Sequence, residues 1–245
     1  MPTDVSTTHM VKLTSRESVA EGTMAFHFEK PKQFGFSPGQ YVDVTLLNPP
    51  ETDSEGNIRS FSIASAPFED HITLVTRMRD TAFKRVLKSA PLGMPAKLEG
   101  PMGSFTLHKN ASKAAVFLAG GIGITPFFSI LRYAAHEKLP HRLYLFSSNR
   151  RPEDAAFLSE LRQLEEVNPH FRFVPTMTEM AKSHQDWKGQ TGFIDQQMVA
   201  RSLPELHGPI YYIAGPPAMV AAMRQMLVGS GVDEDDVRTE EFAGY

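Results

Sequence analysis

Over the first hundred residues, apolar and polar positions alternate in short runs broken by turn chemistry. Val11–Leu13, Met24–Phe28, Tyr41–Leu46, Arg59–Ile63 and Ile72–Met78 are rich in β-branched or aromatic residues and predict strands. Between them lie Pro-Lys-Gln-Phe-Gly, Ser-Pro-Gly-Gln and Asn-Pro-Pro-Glu, which favour turns and loops. Several short strands at this spacing predict a small antiparallel β-barrel. Phe83–Leu87 has helical spacing instead, with Thr81 placed as N-cap and Gly93 beyond its end.

The pattern changes after Leu107. Ala114–Leu118 is a continuous apolar run, followed by Gly-Gly-Ile-Gly and a helical pattern over Pro126–His136. Strands are predicted again at Leu143–Phe146, Phe171–Pro175 and Ile210–Ala214, and helices at Glu153–Val167, Asp195–Ser202 and Pro217–Val228. Strand–helix alternation with buried strands predicts a parallel sheet covered on both faces. The polar link Lys109–Lys113 separates the two styles, so the expected units are residues 1–110, a barrel, and 111–245, an α/β domain. No internal repeat or low-complexity tract is visible.

Composition narrows the chemistry. Of 245 residues, 41% are hydrophobic and 22% charged, a globular mix, and the formal net charge of -3 supplies no basic field for nucleic acid. The absence of cysteine excludes disulfides, thiol catalysis and Cys-ligated clusters in this chain. No apolar run is long enough to span a bilayer, because Pro126 and Arg132 interrupt and close Ala114–Leu131. Met1–His9 is polar and lacks a signal-peptide core, so a cytoplasmic location is expected. The nine histidines show no metal-ligand spacing.

Five segments carry candidate chemistry. In Arg59-Ser60-Phe61-Ser62, the guanidinium suits a phosphate, the hydroxyls suit a polar ring edge, and Phe61 offers a face for a flat ring such as a flavin. Alternation aims Arg59 and Phe61 to one side and Ser62 to the other, so Ser62 meets the same ligand only if the strand ends or twists there. The alternative is an edge strand with an exposed arginine. Thr76 and Arg77 lead into a helix start at Thr81-Ala82-Phe83, where free N–H groups and the dipole favour a phosphate; a solvated basic face is the alternative. Gly120-Gly121-Ile122-Gly123-Ile124-Thr125-Pro126 sits between a buried strand and a helix, as a phosphate-cradling turn must. Pro126 stands where a dinucleotide fingerprint has its third glycine, and a tight turn without ligand remains the alternative. Gly215-Pro216 and Met219 form a second strand–helix turn of the kind that lines a ligand crevice. The chain ends Glu240-Glu241-Phe242-Ala243-Gly244-Tyr245, which reads otherwise as a frayed tail.

In this order, from Val11 to Tyr245, the segments resemble the ferredoxin–NADP+ reductase superfamily. The resemblance implies an N-terminal flavin-binding antiparallel barrel and a C-terminal nucleotide-binding α/β domain. It further implies FAD held by Arg59, Ser60, Phe61 and Ser62, with Ser62 near the reactive flavin nitrogen. Thr76 and Arg77 would run along the cofactor, and Thr81, Ala82 and Phe83 would meet its pyrophosphate. Gly120, Gly121, Gly123, Thr125, Pro126, Gly215, Pro216 and Met219 would meet the nicotinamide nucleotide. Phe242 resembles the family's terminal aromatic over the flavin, with Tyr245 the other candidate, and Glu240 or Glu241 could close a polar relay beside Ser62. The chain departs from the family where Phe61 replaces a frequent tyrosine and where Gly215-Pro216 lacks a cysteine found in several members.

The activity so implied is hydride transfer between NAD(P)H and flavin, with electrons passing to a ferredoxin, flavodoxin or oxygenase component. A flavin or ferric reductase is a variant of that reading. A non-catalytic electron-transfer subunit of a larger complex is the alternative. After Phe146, Ser148 and Arg150 stand in a loop with no carboxylate directly at the strand end, which leans toward NADPH, although Glu153 and Asp154 follow closely. An ordinary basic loop explains the same residues. Asp233–Asp236 is either a docking patch or a solvated acidic loop.

Overall fold

The computed structural model describes residues 7–242. Its first unit is a six-stranded antiparallel sheet in the order β4-β3-β6-β1-β2-β5, built from β1 (Thr7–Ala20), β2 (Thr23–Glu29), β3 (Tyr41–Leu46), β4 (Ile58–Ser62), β5 (His71–Arg77) and β6 (Pro95–Met102). Two edges would be left open, but Ile63 bridges Leu74, and Ala64 N donates to Thr73 O at 2.9 Å. These bonds join β4 to β5 and close the barrel.

Inward-facing Val11, Leu13, Phe26, Phe28, Val42, Val44, Leu46, Ile72, Ala96 and Leu98 fill the barrel. Helix α1 (Ala82–Ser89) adds Phe83, Val86 and Leu87 to that core. Thr81 caps α1 as expected, its hydroxyl accepting from Lys84 N at 3.4 Å.

Two strands differ from the sequence expectation. β1 runs for 14 residues, with irregularities after Leu13 and Ser18 that break its alternation. β6, for which no strand was predicted, carries two prolines and a glycine, yet Ala96, Leu98 and Gly100 alternate inward.

The second unit is a six-stranded sheet, order β10-β9-β8-β7-β11-β12, in which every pairing is parallel. It comprises β7 (Ala115–Gly120), β8 (Leu143–Asn149), β9 (Phe171–Met177), β10 (Gln190–Thr191), β11 (Ile210–Gly215) and β12 (Val237–Glu241). Phe117, Leu145 and Tyr212 pack on one face with α2 (Ile124–His136) and α3 (Leu158–Val167). Val116, Leu118, Phe146, Tyr211 and Ile213 pack on the other with α4 (Gln196–Ser202) and α5 (Pro217–Gly229). Burial on both faces explains why these strands read as unbroken apolar runs.

Helix α3 begins at Leu158 rather than Glu153, because Phe157 takes a left-handed φ of 62° after a short 3-10 turn at Pro152–Asp154. The C-terminal segment is not a frayed tail through Phe242: β12 pairs along β11 from Tyr211 with Val237 to Gly215 with Glu241. Within Asp233–Asp236, Asp236 bonds Lys113 at 2.9 Å and Asp233 caps its own turn, so at least these two carboxylates serve the fold.

The two units are locked together by polar bonds around a buried seam. Ser129 Oγ donates to Ser65 O at 2.6 Å, Arg132 meets Glu69 at 2.9 Å, and Arg151 reaches Glu21 at 3.0 Å. The linker is pinned where His108 N donates to the Tyr212 hydroxyl at 2.8 Å. Burial holds the His108 imidazole below its ordinary pKa.

Candidate functional site

The first cavity, about 470 Å³, opens where the barrel seam parts. Beyond the Ile63–Leu74 bridge the two edge strands diverge, and the cavity is lined by Ser60, Phe61 and Ser62 from β4 and Val75, Thr76 and Arg77 from β5. Strand edges that no longer pair with each other present backbone donors and acceptors to whatever lies between them. β4 ends at Ser62, which meets the condition set by alternation: Arg59, Phe61 and Ser62 all reach the same space. Ser62 is buried at 5% exposure.

Arg59, Arg77, Arg79 and Lys84 give this cavity a strong positive lining, with Glu55 its sole lining carboxylate among the described residues. Lys84 is pushed below its usual pKa by burial, then by the charges of Arg79 and Arg59. The Arg59 fork is clasped by a neighbouring loop, with Glu55 at 2.7 Å and Asp53 at 3.4 Å, and lies 5.3 Å over the Phe83 ring. Asp53 also accepts from Ala82 N at 2.9 Å, the first free N–H of α1. That bond, opposed by desolvation, holds the Asp53 carboxyl low. Two carboxylates therefore occupy the groups that suit a phosphate. Thr81 lines the cavity, whereas the Ala82 and Phe83 side chains are buried.

The second cleft, about 420 Å³, lies where β7 and β11 point their C-terminal ends. Chain order reverses there: β8 and β9 succeed β7 on one side and β11 lies on the other, making this the topological switch point of the sheet. Gly120, Gly121, Ser148, Arg150, Pro216 and Met219 line it together. Sequence reasoning did not assign Asn149, Asp154, Thr178, Glu179, Phe193, Ile194 and Met223, which also line it, nor Arg79 and Lys84 of the barrel. Most of these come from loops remote in sequence, and only Arg79 and Lys84 stood inside a basic segment already visible.

Several residues sit elsewhere than anticipated. Thr125, 2% exposed, lines the barrel cavity beside Ile122 and Phe242 rather than the sheet cleft, its hydroxyl donating to Ile122 O at 3.1 Å. Gly123 lines neither cavity; a Cβ there would strike the carbonyl of Ala214, so it permits the close approach of β11. Gly215 packs against the Gly120 backbone in the same way, and a Cβ on Gly120 would meet the Met219 sulfur and Pro216. Pro126 is buried within the first turn of α2.

Phe242 closes one side of the barrel cavity, its N–H donating to Gly215 O at 3.0 Å. Glu240 pairs beside Ala214 on the sheet edge; its Oε2 is buried with no hydrogen-bond partner among the described residues, and burial pushes its pKa up to about 7. Tyr245 lies outside the described residues. Among the described residues, no cluster of three metal-ligating side chains occurs and no helix is long and apolar enough to cross a membrane.

Comparison with known proteins matches these two units separately. Residues 10–107 match the oxidoreductase FAD-binding domain, and residues 117–225 match the oxidoreductase NAD-binding domain. The chain belongs to the ferredoxin–NADP+ reductase superfamily.

Among relatives, the glycine betaine monooxygenase reductase subunit of Chromohalobacter salexigens is 28% identical over 90% of this chain and 60% of its own length. The propane 2-monooxygenase reductase component of Mycolicibacterium smegmatis is 30% identical over 87% of this chain and 61% of its own. The chain thus spans about three fifths of these relatives. A ferredoxin NADP+ reductase from Neisseria gonorrhoeae, solved with bound FAD and NADP, superposes with a TM-score of 0.78 at 21% identity, covering 96% of this chain and 98% of that one. An Amycolatopsis cytochrome P450 reductase gives 0.83 at 22% identity, over 98% of this chain and 71% of that one. Both share the fold of this superfamily member.

Proposed function

We propose that this chain is an NAD(P)H-dependent FAD oxidoreductase that passes electrons to a separate acceptor, such as a ferredoxin, a flavodoxin or an oxygenase component. Residues 1–110 form its flavin domain and 111–245 its nucleotide domain. The observation that carries this reading is that the seam cavity and the switch-point cleft adjoin along one wall, at Arg77 and Arg79. Two ligands bound there would lie side by side.

The barrel cavity fits FAD. Its parted strand edges suit the polar rim of the ring, Phe61 and Phe242 suit its faces, and Arg59, Lys84 and the α1 N-terminus suit its pyrophosphate. When bound, the flavin supplies hydride acceptance from the nicotinamide and onward electron transfer. The protein's part is orientation and proton handling. Ser62 holds a hydroxyl at the buried end of β4, and Glu240 keeps a carboxyl that gains or loses its proton near neutrality. Phe242 covers the cavity and must move aside for nicotinamide, a gating step. Gly120 and Gly121 let the backbone approach the nucleotide.

We read Arg150 as the group that meets a 2′-phosphate, favouring NADPH. Asp154 and Glu179, both held ionised by basic neighbours, line the same cleft and support the contrary reading, NADH. Comparing kcat/KM for the two nucleotides decides it, and a preference for NADH refutes the first reading. The function itself is tested by a visible spectrum of the purified protein before and after anaerobic NADPH or NADH. A flavin spectrum that bleaches is expected. A protein that stays colourless after incubation with FAD overturns the assignment.

A further inference from the structure

The seam cavity and the sheet cleft share two lining residues, Arg77 and Arg79, and both belong to the barrel. The two guanidiniums differ in their commitments. Arg77 lies 3.8 Å from Asp154, whose side chain is 5% exposed and is gripped by Arg151 at 2.8 Å. The Arg77 carbonyl also receives Lys84 Nζ at 2.8 Å. The Arg79 side chain makes no hydrogen bond or ion pair with any described residue. Its backbone is nonetheless fixed, because Met78 N bonds Gly22 O at 2.7 Å and Thr81 N bonds Arg79 O at 2.9 Å.

We propose that Arg79, carried by the flavin domain, binds the phosphates of the nicotinamide nucleotide, so that the nucleotide is held across the domain boundary. Charge balance assigns it to the nucleotide rather than the flavin. The seam cavity holds Lys84, and also Arg59 and the start of α1 wherever a pyrophosphate displaces Glu55 and Asp53 from them. In the sheet cleft, Asp154 is neutralised by Arg151, and Glu179 by Lys182 at 2.7 Å. Arg77 is drawn to Asp154, and Arg150 stands with the loop after β8. Arg79 is therefore the barrel cation left to meet an anion arriving over Gly120 and Gly121.

A nucleotide bound in this way senses the domain register. That register is set by Arg151–Glu21 at 3.0 Å, Arg132–Glu69 at 2.9 Å and Ser129–Ser65 at 2.6 Å. The inference rests on the proposed function, since it presumes that the sheet cleft takes a nicotinamide nucleotide.

The test is titration of NADP+ and of NAD+ into FAD-loaded wild type and Arg79→Gln, followed calorimetrically at several salt concentrations. Losing one charge-assisted phosphate contact should raise Kd about ten-fold or more. The dependence of log Kd on log salt should become shallower, with FAD content unchanged. Arg79→Lys should recover part of the affinity. Unchanged nucleotide affinity in Arg79→Gln overturns the inference, and so does loss of FAD with nucleotide affinity intact. A wild type that binds neither FAD nor nucleotide overturns the proposed function instead.

Discussion

Replacing Glu240 by glutamine isolates the energetic effect of placing a buried carboxyl on the edge strand beside Ala214. Burial raises its pKa from 4.5 to about 7, and Oε2 has no partner among the described residues. The folded protein thus binds this proton more tightly than the unfolded chain. The stability so gained is complete below about pH 4.5 and is lost as pH rises through about 7. At roughly 1.4 kcal/mol per pH unit, the penalty for carrying the charge above that pH is about 3 kcal/mol, an upper bound because local relaxation lowers it.

Glutamine keeps the shape and removes the titration. Urea unfolding of both proteins across pH 5 to pH 9 should show the variant gaining on wild type by up to about 3 kcal/mol. The gain should build as pH rises from about 4.5 and level off above about pH 7. In melting temperature that is roughly 6 to 12 °C for a chain of this size. Curves that stay parallel across the range would refute the buried-carboxyl reasoning. Flavin reduction offers a second readout: an inflection near pH 7 in wild type should vanish in Glu240→Gln if the carboxyl handles a proton in that step.

Ser62→Ala should slow flavin reduction in stopped flow far more than it weakens FAD binding, and equal reduction rates would remove Ser62 from the chemistry. Glu55→Gln should free the Arg59 fork and tighten FAD binding roughly two- to five-fold, the scale of an exposed ion pair, read by fluorescence titration. An unchanged or weaker affinity would mean that Arg59 does not serve the cofactor. Gly123→Ala places a methyl against the Ala214 carbonyl and should lower stability by about 1–3 kcal/mol in urea; a neutral result would show that β11 can yield there.

What could be read from sequence was local. Ala115–Gly120 and Ile210–Gly215 announced themselves because burial on both faces removes every polar position, and the glycine turns after them mark where backbones must come close. Thr81 was legible as a cap because capping depends on neighbours three residues apart. β6 and β12 were not legible, each for its own reason. β6 holds Pro95 and Pro101, which have no N–H to give a ladder and so read against a strand, and β12 is a charged edge strand that exposes much of its length. The Asp154–Arg77 contact joins residues on different units, and no periodicity encodes it.

The illegible pieces are those that make two cavities into one site. β12 carries Phe242 to the barrel by running along β11, so the chain's last described residue reaches a cavity built from β4 and β5. Thr125, expected in the sheet cleft, faces the barrel cavity beside Ile122, and the Ser129–Ser65 bond ties the same helix to the seam. The wall between the cavities is thus made by barrel arginines on one side and a sheet-domain turn on the other. A substitution that loosens the domain register without touching either cavity should therefore weaken the transfer between ligands before it weakens the binding of either. Arg132→Ala, which removes the 2.9 Å bond to Glu69, is such a change. Its expected signature is slower flavin reduction at saturating nucleotide with FAD affinity retained. An unaltered reduction rate would show that the remaining interface bonds hold the register by themselves.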